Sequence, residues 1–97
     1  MTEPLIFVVD DDADHLESLV DLISAAGHDT SAFADAPAAL AAVPEARPGL
    51  ILTDLRMPGM DGIALLAALT EAGHDIPVVV LTGHGDGDHA GRARRLG

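Results

Sequence analysis

Three consecutive acids, Asp10-Asp11-Asp12, follow directly on the apolar run Leu5-Ile6-Phe7-Val8-Val9, and another acid, Asp54, closes the run Leu50-Ile51-Leu52-Thr53. A third apolar run, Ile76 to Leu81, ends on the hydroxyl of Thr82 with Gly83 beside it. Carboxylates brought into one small site repel one another unless a cation neutralises them. The hard divalent ion suited to such a site is magnesium, which prefers octahedral oxygen coordination, keeps several waters and is held by one or two carboxylates plus phosphate oxygens. Asp10, Asp11 and Asp54 are the candidate ligands. With a phosphate donor beside the ion, one carboxylate can attack phosphorus in line and become an aspartyl phosphate. Thr82 is a candidate hydrogen-bond donor to a phosphoryl oxygen, and Gly83 leaves that group space to approach.

The same residues have structural readings. Acids after strands commonly cap the next helix, and Asp12 or Asp14 fits that role. The segment GHGDGDHAG gathers His84, Asp86, Asp88 and His89, which suggests zinc or nickel, yet it matches no established ligand spacing and reads as a polar loop. His15, His28 and His74 fall near helix ends and read as surface residues. Arg92, Arg94 and Arg95 fall in the last turns of an expected helix, where cations complement the helix dipole.

The elements that must position these groups alternate in type. Each apolar run is short, continuous and bounded by polar residues, the pattern of a strand buried on both faces of a parallel sheet. Leu16, Leu19, Val20 and Ile23 recur at helical spacing before a stop at Gly27. His28 to Phe33 reads as a weaker strand. Asp35 caps an Ala-rich helix expected to run to Val43 and close at Pro44. After Asp54, LRMPGMDG is dense in turn formers, and Asp61 caps a helix carrying Leu65, Leu66, Leu69 and Ala72 before Gly73. Asp86 to Leu96 is expected to form a further helix, weakened by Gly87 and Gly91. Strands alternating with helices imply an α/β fold, a doubly wound parallel sheet whose ligands bind beyond the carboxyl ends of the strands. Asp10 to Asp12, Asp54 and Thr82 all fall there.

Composition narrows the partners. A chain of 97 residues holds one domain, read here as residues 1–97. Sixteen acids against five basic residues give a formal net charge of −11, which repels nucleic-acid backbones and anionic membrane surfaces. Cysteine is absent, so no disulfide or thiolate metal site forms. The apolar run near the start is too short for a signal peptide or membrane span, and the expected location is cytoplasmic. All five basic residues are arginine, and there is no lysine.

In this order, FVVDDDAD, ILTDLRMPGMDG and VVVLTGHGD resemble the receiver domains of two-component response regulators over the whole chain, with DLRMPGMDG the most specific part. The wording is similar to that of regulators of the nitrogen-control and dicarboxylate-transport type. The resemblance implies a flavodoxin-like fold with strand order 2-1-3-4-5. It implies Asp54 as the phosphoacceptor and Asp10 and Asp11 as magnesium ligands, with Asp11 the direct one. The backbone carbonyl of Arg56 joins the metal site, and Thr82 is the switch hydroxyl. It further implies a sensor histidine kinase as phosphodonor and an effector outside this chain, commonly a transcription module. Such a domain accepts a phosphoryl group and is not a turnover enzyme.

The sequence departs from the family pattern after Thr82. Receivers continue through a fifth strand and helix and carry a Lys-Pro pair, and neither the lysine nor that unit is expected here. The reading preferred is a C-terminally incomplete receiver, because Val78 to Leu81 would otherwise be an exposed apolar edge. Pairing with a second copy, by swapping, is the alternative. Two other functions compete. One is a receiver-like module that binds partners without phosphorylation. The other is a haloacid-dehalogenase-like phosphatase, in which Asp10 of the D-x-D arrangement Asp10-Asp11-Asp12 is the nucleophile.

Overall fold

The apolar runs become strands where the pattern places them, and the sheet they form brings the acids to one edge. The computed structural model describes residues 5–57, 59–82 and 92–95, with Thr82 and 92–95 described by their backbone. Chain order is β1 (Ile6–Val9), α1 (Ala13–Ala25), β2 (Thr30–Phe33), α2 (Ala36–Ala46), β3 (Leu50–Asp54), α3 (Gly62–Glu71), β4 (Val78–Thr82) and β5 (Arg92–Arg95). The first four strands are parallel in the order β2-β1-β3-β4, the flavodoxin-like arrangement.

One sheet face carries the core. Phe7 and Val9, Ile51, and Val78 and Val80 alternate along their strands to meet Ala36, Ala39 and Val43 of α2 and Leu65 and Leu69 of α3. Phe7 also meets Phe33 of β2, with ring centroids 4.7 Å apart. The opposite face is covered by α1, whose Leu16, Leu19, Val20 and Ile23 are half-buried and none fully buried.

Each helix among the described residues starts on an aspartate, as the sequence indicates. Asp12 accepts from the backbone N–H of Asp14 and His15, Asp35 from that of Ala38 and Asp61 from that of Ala64. Gly27 and Gly73 follow α1 and α3 at positive φ, the left-handed turn that ends a helix.

Two expectations are corrected. Pro44 does not close α2, which runs on to Ala46 and ends where Arg47 adopts φ 50° and donates its N–H to the Val43 carbonyl at 2.9 Å. Proline removes one intrahelical hydrogen bond in the last turn, and the packing of Val43 against the core holds the turn together.

The second correction concerns Arg92–Arg95, which form a strand rather than the end of a helix; residues 83–91 lie outside the described residues. β5 pairs antiparallel with β4, Thr82 opposite Arg92 and Val79 opposite Arg95. Among the described residues there is no fifth parallel strand or following helix, as expected, but the outer edge of β4 is not open. Its unpaired N–H and C=O groups favour a strand partner, and the glycines between oppose a helix.

Candidate functional site

The strand register fixes the site. β1 and β3 are paired so that Val9 stands opposite Thr53, which sets Asp10 and Asp54 side by side one step further on. Asp54 stands opposite Leu81 of β4, so Thr82 lies one residue beyond it on the neighbouring strand. The chain leaves β1 toward β2 on one side and β3 lies on the other, so this is the switch point in strand order.

Asp10 is 0% exposed and Asp54 2%, whereas Asp11 is exposed. One carboxylate oxygen from each of Asp10, Asp11 and Asp54 lies within 4.8 Å of the others, close enough to share one cation. Isolated buried carboxylates are costly, and three acids converging here create a demand for positive charge that a divalent ion meets. The donor set is all oxygen, which fits magnesium or manganese better than a softer metal.

Asp10 is held from the start of α1. Its Oδ1 accepts the Asp12 N–H at 2.9 Å, and its Oδ2 lies against Nδ1 of His15. The carboxylate of Asp12 instead caps α1, accepting from the Asp14 and His15 N–H, and is not among the clustered oxygens.

Asp54 is held from β3 and α3. Leu55 donates its N–H to the Leu81 carbonyl at 3.1 Å, and Gly62, the first residue of α3, donates to the Leu55 carbonyl at 3.0 Å. The Thr53 hydroxyl donates to the Asp54 carbonyl at 3.0 Å. A Cβ at residue 62 would stand 2.8 Å from the Asp54 carbonyl oxygen, so α3 begins this close only because residue 62 is glycine.

Arg56 is exposed on the segment between β3 and α3, two residues beyond Asp54. Thr82 closes β4, and its side chain lies outside the described residues, as do Gly83, His84, Asp86, Asp88 and His89. Two participants escaped the sequence reading. His15 is exposed, as its place near a helix end predicts, and from the third position of α1 it also reaches Asp10. That position commonly folds a side chain back over the helix start, and this was the available signal. Gly62 was read only as part of a turn-rich segment.

The family model described as the response regulator receiver domain matches residues 6–97. The chain is 42% identical over 96 residues to the transcriptional regulatory protein FixJ of Bradyrhizobium diazoefficiens, covering 99% of this chain and 47% of that protein. It is 40% identical over 83 residues to the C4-dicarboxylate transport transcriptional regulatory protein DctD of Rhizobium meliloti, covering 86% of this chain and 18% of that one. The chain thus spans less than half the length of either. Among solved structures, FixJ-N matches with a TM-score of 0.81 at 38% identity, over 90% of this chain and 70% of that one. The apo receiver domain of nitrogen regulatory protein C matches with a TM-score of 0.75 at 36% identity, over 89% and 69%.

Proposed function

Because the chain belongs to the response regulator receiver domain family, we propose that Asp54 is its phosphoacceptor and that Asp10, Asp11, Asp54 and the Arg56 carbonyl hold a magnesium ion beside it. The observation that carries this reading is the convergence of three carboxylates at the switch point of the sheet. When bound, magnesium offsets the charge of the acids and of the incoming phosphoryl group.

The chain's own residues supply the rest. Asp54 projects from the end of β3, where the hydrogen bonds of the Leu55 N–H to Leu81 and of the Gly62 N–H to Leu55 fix the backbone that follows it. A carboxylate oxygen of Asp54 attacks phosphorus in line; the P–N bond of a kinase phosphohistidine breaks, and its electron pair returns to the imidazole, which takes up a proton. Thr82, at the end of the adjacent strand, is assigned the hydroxyl that hydrogen-bonds a phosphoryl oxygen. Water later attacks phosphorus, the bond to the Asp54 oxygen breaks, and inorganic phosphate leaves with the carboxylate restored, so the domain accepts and loses a group without turning over a second substrate. The donor is a sensor histidine kinase. The output is an effector outside residues 1–97, a transcriptional one by analogy with FixJ and DctD.

Both carboxylate oxygens of Asp10 are already engaged, one by the Asp12 N–H and the other by the His15 ring. That disfavours the phosphatase reading. The phosphorylation-independent module draws on the absence of lysine from the sequence. Beryllofluoride, a mimic of the acyl phosphate, separates it. Added with magnesium, it is expected to shift backbone NMR signals around Asp54 and Thr82 in the wild type and to leave Asp54→Asn unchanged. A wild-type spectrum indifferent to both additives would establish the inert module instead.

A further inference from the structure

Thr53 is fully buried and stands directly before the proposed acceptor. A buried hydroxyl costs free energy unless it finds a partner, and valine would fill the same space without that cost. The partner here is the Asp54 carbonyl, to which the Thr53 hydroxyl donates at 3.0 Å. That carbonyl shares one planar peptide unit with the Leu55 N–H, which donates to the Leu81 carbonyl at 3.1 Å. The plane is thus held at both ends, by a side chain at its oxygen and by β4 at its hydrogen. Its first atom is the α-carbon from which the Asp54 side chain leaves. The Thr53 methyl has a different neighbour: it lies 3.3 Å from where a Cβ on Gly62 would stand, so it lines the start of α3.

We propose that Thr53 is a positioning residue for phosphoryl transfer, its hydroxyl setting the peptide plane after Asp54 and, through it, the direction in which the acceptor carboxylate meets the incoming phosphorus. This deepens the proposed function and rests on Asp54 being the phosphoacceptor. In-line attack requires the nucleophilic oxygen close to its reacting position, and a small displacement of the group that carries it slows the step. The bond to β4 gives the plane one fixed point, and the hydroxyl supplies the second. The two branches of the threonine side chain therefore have separable duties, the hydroxyl for aim and the methyl for packing. Rate and stability part company between variants that lose one or the other.

The test uses the full chain with acetyl phosphate and saturating magnesium, reading initial rates of acyl-phosphate formation by intact-mass spectrometry and stability by thermal unfolding. Wild-type protein is expected to gain a phosphoryl group and Asp54→Asn none; no gain by the wild type, or an equal gain by Asp54→Asn, would overturn the acceptor reading, and this inference with it. With that control met, Thr53→Val, which keeps the volume without the hydroxyl, is expected to react about three- to tenfold more slowly, the factor that one net hydrogen bond represents. Thr53→Ser is expected to react close to the wild-type rate, although it loses the buried methyl and unfolds at a lower temperature than Thr53→Val. Thr53→Ala, which differs from Thr53→Ser only by the hydroxyl, is expected to be as slow as Thr53→Val, and it decides the question should valine prevent folding. With neither metal nor phosphodonor present, the Leu55 amide is expected to exchange its hydrogen faster, relative to other β3 amides, in the Val and Ala variants and not in the Ser variant. Val and Ala variants that react at the wild-type rate, rates that simply follow the unfolding temperatures, or Leu55 exchange unchanged throughout would overturn the assignment.

Discussion

A methyl group on residue 62 would meet the carbonyl oxygen of Asp54 at 2.8 Å and the α-carbon of Leu55 at 3.3 Å, both of them backbone atoms that cannot rotate aside. Gly62→Ala is therefore expected to displace either α3 or the end of β3. The expected cost is about 1–3 kcal/mol of stability, as overpacking costs elsewhere, measurable by urea denaturation. It should also slow phosphorylation by a small phosphodonor relative to wild type. Equal stability and equal rate would show that the close approach is not required. At this scale the sequence was partly legible. Asp10, Asp11 and Asp54 could be found from their type and their place after apolar runs. His15 and Gly62 could not, because their importance lies in what stands opposite them, which strand register and helix approach decide.

Helix starts were the most legible features, since Asp12, Asp35 and Asp61 each cap by a local hydrogen bond that depends on neighbouring residues only. Continuation through a proline was not legible, because it depends on Val43 and Ala39 being anchored in the core. Pro44 is exposed and costs α2 one hydrogen bond without packing in return. Pro44→Ala is accordingly expected to raise stability by about 1–3 kcal/mol, less than or equal to the usual interior penalty because the last turn is affected. Thermal unfolding checks this, and a lower midpoint in the variant would mean that proline stabilises this turn. β5 was illegible for a similar reason. Arg92 to Arg95 have no strand pattern of their own, and what makes them a strand is the unpaired edge of β4 beside them.

Across the whole molecule, the order β2-β1-β3-β4 was implied by resemblance and by the alternation of strand and helix, and the structure has it. The core is uneven. The face under α2 and α3 buries most of the large side chains, while α1 buries none completely and leaves Leu22 68% exposed. The site rests on the better-packed part: β3 and α3, which fix Asp54, both contribute to that core, and α1 supplies the contacts to Asp10. A net charge of −11 adds to the demand for a cation at this end of the sheet. The central claim is that this convergence makes Asp54, and no other acid, the acceptor. Incubation with a small-molecule phosphodonor and magnesium, followed by reductive trapping of the acyl phosphate and peptide mass spectrometry, tests it most directly. The account predicts modification at Asp54, dependent on magnesium and lost in Asp54→Asn; modification at Asp10, or at Asp54 with equal efficiency when magnesium is chelated, would contradict it.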